Sequence, residues 1–122
     1  MVKHDFKVVT QWKGGRNEIG TVQGDLINEQ ISIPYSLGGQ GIGTNPDEML
    51  VSAASSCYII SLAATLERAG YKDIRINQHS VGTASFENGK FKMECITHYP
   101  KINLDNNHKD NPVSKTNLQL PT

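Results

Sequence analysis

The run Thr44-Asn45-Pro46-Asp47-Glu48-Met49-Leu50-Val51-Ser52-Ala53-Ala54-Ser55-Ser56-Cys57-Tyr58-Ile59-Ile60-Ser61-Leu62-Ala63-Ala64-Thr65-Leu66-Glu67-Arg68-Ala69-Gly70 decides the architecture of this chain. Thr44 or Asn45 can cap a helix, and Pro46 suits its first turn. Asp47 and Glu48 put negative charge at the positive end of the helix dipole. Gly70 is a natural C-cap. The spacing predicts a helix from about Pro46 to Ala69. Leu50, Ala54, Cys57 and Ser61 form one stripe on it, and Met49, Ala53, Ile60 and Ala64 a neighbouring one. Charges are confined to the head (Asp47, Glu48) and tail (Glu67, Arg68), whereas a surface helix normally carries them along one face. The helix therefore reads as buried on most sides. The whole chain has 122 residues, too few to surround it. A second copy supplying the cover is the main structural expectation.

Working outward, residues 34–46 read as a glycine-rich, flexible loop. It resembles a phosphate cradle in glycine content alone, without the Gly-Lys-Ser/Thr or dinucleotide spacing. Before it, residues 2–12, 18–26 and 29–34 read as short strands of an antiparallel meander, broken by the polar turn Gly14-Gly15-Arg16-Asn17. After the helix, strands are expected at 74–81 and 83–87. The turn Glu87-Asn88-Gly89-Lys90 carries the strongest short hairpin signal. A strand follows at 91–99, with Phe91, Met93, Cys95, Thr97 and Tyr99 on one face and Lys92, Glu94, Ile96 and His98 on the other. Pro100 is expected to weaken or end it. The class is α/β in the α+β sense, and residues 1–122 form one domain with a divergent tail over 103–122. Within that tail the best strand candidate is 116–120.

Twelve Lys and Arg balance twelve Asp and Glu, so the formal net charge is zero and a phosphate-binding nucleic-acid role is disfavoured. Two cysteines, Cys57 and Cys95, exclude a disulfide-stapled secreted scaffold. Residues 1–11 carry Lys3, Asp5 and Lys7 and do not form a signal peptide. A cytoplasmic location is expected. Residues 49–66 are apolar enough to suggest a membrane span, but they lie at its short end and hold five Ser or Thr, so no membrane association is expected.

Cys57 is the most informative side chain. It is either a small buried hydrophobe or a reactive thiol, and the second requires a cation or donors close by. Arg16 is the sole arginine before the helix. Its guanidinium can favour a thiolate and orient a peroxide oxygen with its rigid donor fork. Asp47 and Glu48 are either dipole-matching charges or orienters of that arginine. Ten residues of helix place Asp47 about 15 Å from Cys57 along the axis, so a bridging Arg16 or a second chain must complete the site. Cys95 reads as a core residue that a disulfide to Cys57 would require within roughly 7 Å, Cα to Cα. Trp12 and Tyr35 either wall an apolar pocket or pack the core. His4, His79, His98 and His108 are scattered, surface or strand-polar, with no metal-ligand spacing. Neither a metal nor a cofactor is expected.

The run Gly41-Ile42-Gly43-Thr44-Asn45-Pro46-Asp47-Glu48-Met49-Leu50, followed by Ala53-Ala54-Ser55-Ser56-Cys57-Tyr58, resembles the OsmC/Ohr superfamily, within its YmaD-like, peroxiredoxin-related branch. The similarity runs from about Asp5 to Leu104, and the Gly-Gly-Arg turn supports it. The resemblance implies an intertwined homodimer with curved antiparallel sheets around a long central helix. It implies thiol-dependent reduction of organic hydroperoxides, with the peroxidatic cysteine at Cys57, the activating arginine at Arg16 and the acid at Asp47, with Glu48 as its alternative. The Cys57 sulfenic acid would then be resolved by another thiol. The family's resolving cysteine, often within Cys-Pro-Val-Ser, is replaced here by Asn111-Pro112-Val113-Ser114, and the helix that carries it is largely missing between Leu104 and Asn111. Cys95 does not match it by position. An external thiol or dithiol reductant is the implied partner. The alternative is a non-catalytic dimeric stress-response or interaction protein on the same scaffold.

Overall fold

The computed structural model describes residues 1–104 and, as backbone, 118–121. The chain divides into two compact units, Met1–Met49 and Leu50–Thr122.

In the first unit, β1 (Val9–Gln11), β2 (Gly20–Gln23) and β3 (Asn28–Ile31) form an antiparallel meander in that order. The expected topology is present, but every strand is shorter than its sequence pattern. Residues 2–8 do not join the sheet, and Phe6 is 93% exposed, because apolar alternation makes a strand only where a neighbour accepts its hydrogen bonds. Val22 and Ser32 are the buried side chains of this unit.

The glycine-rich segment is not a free loop. A 3-10 turn at Tyr35–Leu37 folds it back along β3. Ser32 Oγ donates to the Ile42 carbonyl (2.7 Å) and accepts from the Ile42 N–H (2.8 Å). Thr44 N–H donates to the Gln30 carbonyl at 2.9 Å. Gly43 has φ +72°, and a Cβ there would overlap the Gln30 carbonyl, so glycine is what allows this approach.

The helix α1 runs Pro46–Arg68 and ends in Gly70 N–H bonded to the Glu67 carbonyl at 3.0 Å, as the caps predicted. In the second unit, β4 (Arg75–Glu87) and β5 (Lys90–Asn103) form a long hairpin, and β6 (Leu118–Pro121) pairs with the far edge of β5. The Asn88-Gly89 turn has φ of 55° and 76°, the two left-handed residues that match strand twist.

Two strand expectations need correction. The predicted break near residue 82 is a register shift in one continuous strand, between Thr83 and Ala84, opposite Cys95 and Met93. Glu94 is the extra residue. This bulge reverses the alternation of β5, so the covered face carries Ile96, His98, Pro100 and Ile102 rather than the odd-numbered set through Tyr99. Pro100 does not end the strand either. It is fully buried opposite Gln78, while the described pairing with β6 stops at His98, so the missing N–H lies beyond that ladder.

Half-buried Val51, Ser55, Tyr58 and Leu62, with buried Leu66, trace the helix side that faces β4 and β5. A Cβ on Gly82 would overlap Val51 Cγ2, which shows how closely α1 approaches the sheet. The opposite side, with Leu50, Ala53, Cys57, Ile60 and Ser61, is exposed. The expected all-round burial is therefore absent within one chain. By length and composition α1 could also cross a bilayer, a property shared with core helices of soluble proteins. The 103–122 tail and its Asn111–Ser114 string lie mostly outside the described residues, apart from β6.

Candidate functional site

The sequence-predicted residues are distributed over both units. Arg16, Asp47 and Glu48 belong to the first, and Cys57 to the second. Arg16 stands exposed in the turn after β1, its Nη1 3.4 Å from Asn17 Oδ1. That turn is braced at both ends. Trp12 Nε1–H donates to the Gly15 carbonyl (2.9 Å), and Gln40 Nε2–H reaches across to the Asn17 carbonyl (2.6 Å). Trp12 is 42% exposed and lines an open depression with Thr10, Ile19 and Thr21. Tyr35 is 83% exposed, so neither aromatic packs a core within one chain.

At the start of α1 the structure selects Asn45 as the cap, since Glu48 N–H donates to Asn45 Oδ1 at 2.9 Å. Thr44 Oγ1–H donates to Glu48 Oε1 at 2.7 Å. One carboxylate oxygen of Glu48 is thus engaged at the cap. Asp47 is half-buried in the same turn.

Cys57 is exposed, on the side of α1 turned away from β4 and β5. Of the two readings of this thiol, the buried small hydrophobe does not describe it within one chain. Cys95 is half-buried on β5. Both are free thiols.

Sequence reasoning missed the polar cluster beneath α1, in which half-buried Ser55, Gln78 and Ser80 surround fully buried His98. Ser80 Oγ–H donates to Ser55 Oγ (2.8 Å) and lies 2.6 Å from His98 Nδ1. Gln78 Nε2–H donates to Ser55 Oγ (2.8 Å) and to the Ser55 carbonyl (3.0 Å). His98 was expected as a surface or strand-polar histidine, and it is fully buried. Burial pushes its pKa down, toward the neutral ring. Gln78 Oε1 and His98 Nε2 have no hydrogen-bond partner among the described residues. The available signal was period two on β4, where Gln78 and Ser80 continue the covered face between Ile76 and Gly82.

Comparison with known proteins assigns the family. The family described as OsmC-like protein matches residues 38–116. The chain is 39% identical over 114 residues to "Uncharacterized protein YmaD" of Bacillus subtilis (strain 168), covering 93% of this chain and 76% of that one. It is 24% identical over 110 residues to "Uncharacterized protein ACIAD3023" of Acinetobacter baylyi, covering 88% and 76%. Among solved structures it is similar to one from Legionella pneumophila, described as an organic hydroperoxide resistance protein OsmC, predicted redox protein and regulator of sulfide bond formation. That likeness has a TM-score of 0.55 and 25% identity, over 88% of this chain and 80% of the other. The chain belongs to the OsmC-like family, and its two antiparallel sheets with one long helix agree with that fold.

Proposed function

We propose that this protein is a thiol peroxidase that reduces small organic hydroperoxides to alcohols through Cys57. The observation that carries the reading is the open position of the Cys57 thiol on an otherwise small and apolar helix face. A redox or stress role is also supported by membership of the OsmC-like family and by the description of the Legionella neighbour.

The Cys57 thiolate attacks one peroxide oxygen, the O–O bond breaks, and the departing alkoxide takes a proton and leaves as the alcohol. Cys57 is left as a sulfenic acid. An external thiol attacks that sulfur and releases water. A second thiol reduces the mixed disulfide, so one dithiol or two monothiols are consumed per peroxide. Arg16 favours the thiolate and orients the peroxide, and Asp47, with Glu48 as the alternative, orients the guanidinium. The reaction as written needs no cofactor.

The working form is a homodimer. Among the described residues the buried hydrophobic side chains are Val22, Leu66, Ile96 and Ile102, a small core for a chain of this length. A second copy packs on the uncovered face of α1 around Leu50 and Ile60, where small residues permit close approach, and leaves Cys57 at the edge of a composite site between the two subunits. The dimer acts in the cytoplasm and engages neither nucleic acid nor membrane.

The test is peroxide consumption with cumene hydroperoxide and dithiothreitol, comparing wild type with Cys57→Ser and Cys95→Ser. Turnover that survives Cys95→Ser and is abolished by Cys57→Ser is expected. Absence of any oxygen adduct on Cys57 at modest peroxide excess would leave the scaffold without this activity.

A further inference from the structure

The helix α1 has no hydrophobic stripe that alone sets its rotation on the sheet. Apolar and small side chains occur all round it between Met49 and Leu66, and the hydrophobic effect is non-directional. A rotation of about 100°, one residue's worth, would replace Cys57 at the outer face by Ser56 or Tyr58. Val51, Tyr58, Leu62 and Leu66 on the sheet side supply burial, and the polar contacts made at Ser55 add direction to it.

We propose that Ser80 and His98 are positioning residues for Cys57, fixing the rotation of α1 and so the direction in which the thiol is presented. The proposal rests on the reading of Cys57 as the reactive thiol. Ser55, on α1, is joined to β4 through Ser80 Oγ at 2.8 Å and through Gln78 Nε2 at 2.8 Å. Ser80 is joined in turn to β5 through His98 Nδ1 at 2.6 Å. The His98 ring then returns to the helix. It stacks on Tyr58, with centroids 4.9 Å apart and planes 11° from parallel.

Two contact points on α1, Ser55 and Tyr58, are three residues apart and share one side of the helix. Together they clamp its rotation, and Cys57 is the neighbour of one of them. Ser55 and Tyr58 face the sheet while Cys57 stays on the exposed side. Val51 over Gly82 sets the distance of approach one turn earlier, and the polar chain sets the angle. A fully buried histidine is costly in a small core. Buried polar networks are best attested as devices that select one arrangement among several of similar apolar burial.

The experiment measures alkylation of Cys57 by iodoacetamide at fixed pH in a Cys95→Ser chain, with thermal unfolding recorded in parallel. The variants are Ser80→Ala, Ser80→Thr and His98→Gln. Ser80→Ala is expected to fold and to change the Cys57 rate by about fivefold or more. Ser80→Thr, which keeps the hydroxyl, should return the rate to within about twofold of wild type. A Ser80→Ala chain that melts earlier but keeps the wild-type rate makes the network merely structural and overturns the proposal. Should Ser80→Ala fail to fold, His98→Gln is judged by the same rate criterion. Peroxide consumption by wild type is read separately. Its absence removes the peroxidase reading, while the alkylation comparison still decides whether the network aims the thiol.

Discussion

The Tyr58 ring lies nearly parallel to the His98 imidazole, 4.9 Å from centroid to centroid, although the two residues stand forty positions apart in the chain. The stack joins the middle of α1 to the fully buried side of β5. It also places a titratable ring where water cannot reach it, which gives the second unit a defined acid response.

That response has a fixed sign. Burial lowers the pKa of His98 in the folded chain below its ordinary value of 6.5. The unfolded chain therefore binds the proton first as pH falls. The His98 contribution to stability should be fully present well above pH 6.5 and fall as pH drops through that value, by at most about 1.4 kcal/mol per pH unit. It should level off once the folded-state pKa is passed. Urea unfolding between pH 5 and 8 measures this, and His98→Gln should flatten the slope by the same amount. An unchanged slope would assign the acid response to other groups.

Gly82 of β4 lies directly against Val51 of α1. A Cβ there would overlap Val51 Cγ2 and come within 3.1 Å of Met93 Sδ. Gly82→Ala should cost about 1–3 kcal/mol by overpacking. Adding Val51→Ala should recover part of that loss, because it removes the side chain in the way. Chemical denaturation of the single and double variants gives the comparison.

Asn45 holds the first turn of α1 through its 2.9 Å bond from Glu48 N–H. Asn45→Ala should destabilise the fold by about 1 kcal/mol, and Asn45→Asp should be nearly neutral. Thermal melts at neutral pH distinguish the two.

If Arg16 prepares the thiol and the peroxide, a fork of donors is needed rather than charge alone. Arg16→Lys should lower kcat/KM for cumene hydroperoxide by at least about tenfold, since an ammonium cannot reproduce the bidentate geometry. A variant with wild-type kinetics would remove Arg16 from the proposed machinery.

Ile60 is 68% exposed on the uncovered face of α1. If a second copy covers that face, Ile60→Lys should shift the protein toward monomer in sedimentation velocity and lower its melting temperature. Sedimentation of the wild-type chain as a monomer would count against the dimer directly.

The local signals of this sequence translated well. The Asn-Pro-acid start and the Gly70 stop bounded α1 to within a residue, because caps are satisfied by their immediate neighbours. Asn88-Gly89 produced its hairpin for the same reason. The family resemblance, carried by Gly41–Leu50 and Ala53–Tyr58, agreed with the OsmC-like match over residues 38–116.

The periodic signals were weaker. The stripes through Leu50, Cys57 and Ile60 pointed to burial, yet Val51, Ser55 and Tyr58 face the sheet. With small or apolar residues all round a helix, periodicity does not select a side. One extra residue at Glu94 inverted the alternation of β5. The glycine-rich segment owed its order to Ser32, which the loop's own composition does not reveal.

The sequence by itself determined the limits of α1, the Asn88-Gly89 hairpin turn and the family resemblance, which rest on residues within a few positions of one another. The tertiary structure alone decided which side of α1 meets the sheet, that Cys57 stands open, and that Ser55, Ser80 and His98 form one chain. Those outcomes depend on partners 18 to 25 residues apart. Side chains so distant acquire hydrogen-bond geometry only after strand register and helix packing have brought their backbones together.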